Sequence, residues 1–162
     1  MKYSNYINLI ILLIFSFFLI LGTLIFDDYG ISWDEHYQRT DGFIALNFIR
    51  EILSLDIYPG FEHTDKSFTD AAKIYGVLFN LPMAFVEKTY EIEDSKNYFL
   101  IRHFFNFLIF YISTIFFFLL LKKRFTTNLS IIGLIFLILS PRIFADSFYN
   151  MKDLIPRDWE QL

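Results

Sequence analysis

The sequence predicts an all-α integral membrane protein: three membrane-spanning helices, with amphipathic, interfacial helices in the first external loop. Three observations carry this. Hydrophobic residues make up 55% of the chain and aromatics 21%, with 22 Phe, above the usual apolar share of a soluble domain. Three long runs contain no charged residue. The cations Lys122, Lys123 and Arg124 cluster between the second and third runs. A net charge of −4 argues against a nucleic-acid partner. The absence of cysteine excludes disulfide scaffolds, thiolate metal sites and Cys nucleophiles.

The first run lies between Lys2 and Asp27 and is apolar from Leu9 to Leu21 apart from Ser16. It predicts a span over about residues 6–26. Its single Lys is a weak start for a signal peptide and Gly22-Thr23-Leu24 is a poor cleavage site, so it reads as an uncleaved anchor. The second run, between His103 and Lys122, predicts a span over 99–121. The third, between Arg124 and Arg142, holds 17 uncharged residues. That is the short end of the spanning range, and a span over 125–145 requires Arg142 to snorkel or the helix to continue through Ala145. The positive-inside rule places the Lys122–Arg124 loop and the N-terminus in the cytoplasm of an inner (plasma) membrane protein. Residues 27–97 are then external, and they carry 14 Asp and Glu against 6 Lys and Arg.

Within the external segment, Asp41 to Leu53 has helical period. Asn47, Arg50, Glu51 and Ser54 form a polar stripe opposite Phe43, Ile44, Leu46, Phe48, Ile49, Ile52 and Leu53. This suits a helix lying on the membrane or packed on the spans. Ser54 to Ser67 reads as a loop with a turn at Pro59-Gly60. Ala71 to Val86 is apolar but short for a span and contains Pro82, which makes it interfacial or re-entrant.

Two polar clusters carry candidate chemistry. The first is Asp34-Glu35, just outside span one beside the interface anchor Trp33. Carboxylates there can act as general base toward a hydroxyl or bind a divalent cation that neutralises a phosphate. On composition alone the plainer reading is that such acids mark the external face. The second follows span three. If helical, it puts Asp146, Tyr149, Asn150 and Asp153 on one face, flanked by Arg142 and Lys152; its plainer reading is a polar helix end. Arg102 and His103 open span two, where a snorkelling role is the common alternative. His36 and His63 are ordinary loop residues, and three scattered His do not make a zinc site.

The order SWDEHY, IYGVLFNL, LIRHFFNFL and SPRIFADSFYNMKD around the spans resembles the N-terminal part of a GT-C-type membrane glycosyltransferase. The nearest kind is family 39, the protein O-mannosyltransferases and lipid A aminoarabinose transferases. The resemblance runs from span one to about Asp153 and implies a partial GT-C fold over residues 1–153. It implies transfer of a sugar from a polyprenyl-phosphate donor to a lipid or protein acceptor on the external face. It carries the reaction-centre acid to Asp34, with Glu35 beside it, and the second acid to Asp153. Arg102, Arg142 and Lys152 become candidates for the donor phosphate. Metal use varies in this group, so the cofactor stays open, a divalent cation included. Family members are several hundred residues long, whereas this chain ends nine residues past Asp153 in the polar tail LIPRDWEQL. The expectation is therefore a truncated reading frame, 154–162 being atypical, and a chain inactive alone. The alternative is a small non-catalytic three-span membrane subunit. A transporter or channel ranks last, because the spans offer only Asn106, Ser113, Thr114, Asn128 and Ser130 and no buried charge.

Overall fold

The computed structural model describes residues 2–61 and 78–149. Among these residues the fold is all-helical. The helices are α1 (Lys2–Ile25), α2 (Glu35–Ile52), α3 (Asn80–Thr89), α4 (Ser95–Arg124), α5 (Thr127–Ile138) and α6 (Pro141–Tyr149). Helices α1 and α4 are each long and apolar enough to cross a membrane, and the bent pair α5–α6 makes a third candidate if taken as one span. This is consistent with an all-α membrane protein. The chain divides into two compact units, one of Met1–Gly30 and His103–Leu162, the other of Ile31–Arg102.

The first unit is built on aromatic rings. Phe18, Phe107, Phe110 and Phe148 form its buried core. Phe107 stacks on Phe148 at 5.2 Å and meets Phe18 edge-on at 5.5 Å. Tyr29 stacks on Phe148 at 4.3 Å. A Cβ on Gly22 would lie inside the Phe107 ring, so only glycine lets α1 approach this closely. Three hydroxyls of these helices are satisfied locally, as an apolar surrounding favours, while the buried Asn106 Oδ1 has no partner among the described residues. Thr114 donates to the Tyr111 carbonyl at 2.7 Å, Ser130 to Thr126 at 3.0 Å, and Ser113 to Ile109 at 2.8 Å. Asn106 instead reaches across helices, its Nδ2 donating to the Phe148 carbonyl at 3.1 Å.

The third span is not the single helix expected over 125–145. It breaks between α5 and α6, which meet at 63°. Pro141 is the cause: it has no N–H to continue α5 but is well suited to the first position of a new helix. The Ser140 carbonyl accepts from the Phe144 N–H at 2.9 Å and so starts α6. With 12 residues, α5 is about 18 Å long, well short of a hydrocarbon core of about 30 Å.

The second unit packs α2 against α3 around Phe43, Leu46 and Ala84, with Tyr58, Phe61 and Leu81 against them. Gly42 makes the contact close: a Cβ there would sit 2.4 Å from the Asn80 carbonyl oxygen. Pro82 falls in the first turn of α3, where an N–H would lack an intrahelical partner anyway. Both helices end in Schellman motifs. Leu55 N–H donates to the Arg50 carbonyl and Ser54 N–H to that of Glu51; Ile92 and Glu91 repeat the pattern on Glu87 and Lys88. The left-handed residues are Ser54 (φ 56°) and Glu91 (φ 51°) rather than glycines. The Pro59-Gly60 turn is present, with Gly60 at φ 84°.

Two sequence expectations for this unit are corrected. Helix α2 begins at Glu35, six residues before Asp41. The polar stripe on α2 does not face outward as a set. Asn47 is 1% exposed. Its Nδ2 donates to the Tyr58 and Phe61 carbonyls, both at 2.8 Å, and its Oδ1 accepts from the Tyr58 N–H at 2.9 Å. One buried amide thus clamps the loop over α2, while Phe48, Ile49, Ile52 and Leu53 stay exposed. Of the segment Ala71 to Val86, residues 71–77 lie outside the described residues; the rest enters α3, which at ten residues is too short to cross a bilayer.

Candidate functional site

The polar residues of the second unit gather on the first half of α2. Ser32-Trp33-Asp34-Glu35 leads into α2 with Asp34 as N-cap and Glu35 as the first helical residue. Its S-x-x-E spacing is therefore not that of a capping box, which would need Ser32 as the N-cap. The Glu35 carboxylate folds back to accept the Ser32 N–H at 3.0 Å, and Asp34, at the N-cap position, accepts the Ser32 hydroxyl at 2.5 Å. A negative charge in the first turn also suits the helix dipole. Glu35 is 3% exposed, whereas Asp34 is only half-buried. Of the acidic pair, Asp34 is therefore the one that a substrate can reach.

One turn further along α2, Arg39 makes a bidentate ion pair with Glu87 of α3. Its Nε lies 3.1 and 3.2 Å from the two carboxylate oxygens, and Nη2 closes the second arm at 2.5 Å. The guanidinium is held flat by aromatic faces, 4.0 Å from the Tyr98 ring centre and 4.9 Å from that of Phe43. Glu87 is 4% exposed, so this pair is largely out of water.

Arg102 belongs to the same cluster and is equally buried, at 4% exposure. Its charge interacts with Glu87, Glu35 and Arg39. Nη1 makes a long hydrogen bond, 3.5 Å, to the Asn80 side-chain oxygen. Its Nη2 is buried and has no acceptor among the described residues. The Nε2 of Gln38, on α2 one turn after Glu35, is likewise buried without an acceptor. A guanidinium has five N–H donors and a buried donor without an acceptor is costly. Each of these donors is of the kind that an anion with several acceptor oxygens satisfies.

The sequence-derived candidates are thus only partly brought together. Asp34, Glu35 and Arg102 share the second unit. Arg142 lies in the first unit, on α6, exposed and 3.7 Å from Asp146 one turn on. Lys152 and Asp153 lie outside the described residues. Helix α6 does run as expected through Asp146, while Asn150 also falls outside. Arg39, Gln38, Asn80 and Glu87 were not singled out in the sequence. Two of these had a local signal: Gln38 and Arg39 stand three and four residues after Glu35, on the same face of a helix. Among the described residues no three His, Asp or Glu side chains converge closely enough to hold a metal ion.

No protein-family model, curated protein or solved structure matches this chain.

Proposed function

We propose that this chain carries the acid-bearing part of a GT-C-type glycosyltransferase site, acting on a polyprenyl-phosphate-linked sugar at the external membrane face. The observation that carries the reading is Arg102: a buried guanidinium with an unfilled Nη2, in the same compact unit as Asp34 and Glu35. In this reading the acceptor hydroxyl oxygen attacks the anomeric carbon. The bond from that carbon to the phosphate oxygen breaks, and the polyprenyl phosphate leaves with the electron pair. Asp34 takes the hydroxyl proton as general base. Arg102, with Gln38, donates to the phosphate oxygens where charge builds up. Glu35, tied to the Ser32 N–H, fixes the start of α2 and acts as counterion to Arg102. No step is assigned to a metal, and the sugar and the acceptor, lipid or protein, stay open.

A second reading, a non-catalytic three-span subunit, is favoured by the local geometry: both acids accept from Ser32, which gives them a structural role at the start of α2. Gene deletion and complementation separate the two. Membranes from the deletion strain are expected to lose consumption of a polyprenyl-phosphate sugar, restored by wild type and not by Asp34→Ala. Restoration by Asp34→Ala to the wild-type rate would leave the subunit reading.

A further inference from the structure

Helices α2 and α3 leave a groove of about 550 Å³ open on the surface of the second unit. One wall is Leu46 and Ile49 of α2 with Leu53 just past its end; the other is Leu81, Pro82 and Phe85 of α3. These side chains are apolar throughout, and Phe85 is 60% exposed. Burying none of this surface is costly. The groove also has a charged end. Arg50 and Lys88 line it, and both lean on the ring of Tyr58, at 4.5 and 5.1 Å from its centre. The two cations therefore lie at most about 10 Å apart, and neither makes an ion pair among the described residues. Arg50 gives its Nε to the Asp56 carbonyl at 2.6 Å, leaving its two terminal amino groups. The Lys88 ammonium stands at the C-terminal end of α3 with three donors.

We propose that this groove seats one acyl chain of an anionic phospholipid, with the headgroup phosphate held between Arg50 and Lys88. An apolar trough lined also by two cations that make no ion pair among the described residues matches an acyl chain joined to a phosphate, charge for charge. The chain enters this unit shortly after α1 ends at Ile25 and leaves it inside α4, so both connections run into apolar helices. Long Arg and Lys stems covering apolar surface with their heads at a phosphate layer are the usual arrangement at a bilayer interface. The proposal rests on the membrane reading and not on the transferase reading, and it uses neither Arg102 nor Asp34.

The test is native mass spectrometry of the full chain in detergent, titrated with phosphatidylglycerol or with phosphatidylcholine of the same acyl chains. Each basic residue at an anionic lipid surface strengthens binding about fivefold, so two predict a preference for phosphatidylglycerol of about thirtyfold. Arg50→Gln with Lys88→Gln is expected to reduce that preference below about threefold, while Arg50→Lys with Lys88→Arg keeps it. Should the double Gln variant fold poorly, Phe85→Asp, at an exposed position in the groove wall, is expected to weaken retention of phosphatidylglycerol severalfold with an unchanged melting transition. Equal retention of both lipids would overturn the proposal. So would a preference that survives the double Gln variant, retention of phosphatidylglycerol untouched by Phe85→Asp, or release of phosphatidylglycerol by inorganic phosphate, which would mark a free-phosphate site.

Discussion

Removing the Glu87 carboxylate is expected to unfold the second unit before the first. In Glu87→Ala, Arg39 loses the acceptor of both Nε and Nη2, and Arg102 loses a counterion. Two like charges then face each other with Glu35 as the remaining partner. Breaking a buried pair by removing one member costs about 3–5 kcal/mol. Here the lower end applies, about 3 kcal/mol, because the Arg39 side chain keeps 17% of its surface in solvent and its stacking on Tyr98. Hydrogen exchange of the α2 and α3 amides in reconstituted protein reads this directly, and a loss of about 3 kcal/mol means protection reduced by roughly two orders of magnitude. Replacing both partners with Met is expected to recover most of the loss, since an apolar pair leaves no buried charge uncompensated. A loss below about 1 kcal/mol in Glu87→Ala, or a double variant no better than the single ones, would refute the view that this pair holds α2 to α3.

Three other expectations follow from the packing. Gly42→Ala forces a Cβ onto the Asn80 backbone carbonyl, an overpacking that costs about 1–3 kcal/mol, measurable as a lower melting temperature in detergent. Asn47→Ala removes three hydrogen bonds to the 58–61 loop, and limited proteolysis is expected to cut that loop at least tenfold faster. Glu91→Gly relieves a left-handed residue at the end of α3 and is expected to stabilise by about 0.5–1 kcal/mol, seen as slower exchange of the last α3 amides.

The helices compatible with membrane insertion were legible because the lack of charge over about 20 residues is a one-dimensional signal. The uncharged stretch between His103 and Lys122 and the helix α4 around it coincide, although the helix extends a further two turns back to Ser95. Local turn chemistry was legible too, in Pro59-Gly60. The bend at Pro141 was written in the sequence but was outweighed by the apolar run on its N-terminal side. Asn47 shows a different limit. Its spacing from Arg50 and Ser54 puts it on the polar stripe, yet periodicity cannot show that a loop will fold back and use its amide. The pairing of Arg39 with Glu87 spans 48 positions and has no local trace, so half of the polar cluster needed the fold. Asp34, Glu35 and Arg102 were chosen from motif order, and their common unit is a tertiary fact. What the sequence read as a bare acidic pair is also a helix start, with Asp34 as N-cap and the Glu35 carboxylate accepting the Ser32 N–H.

Donor binding tests the central claim most directly. The purified chain in nanodiscs is titrated with a polyprenyl-phosphate sugar and with the matching neutral polyprenyl glycoside, for wild type and Arg102→Gln. Our account predicts that the phosphate-bearing donor binds at least tenfold more tightly than the neutral one, and that Arg102→Gln removes this difference while Arg50→Gln with Lys88→Gln does not. Equal affinity for the two lipids in wild type, or a phosphate preference untouched by Arg102→Gln, would contradict it.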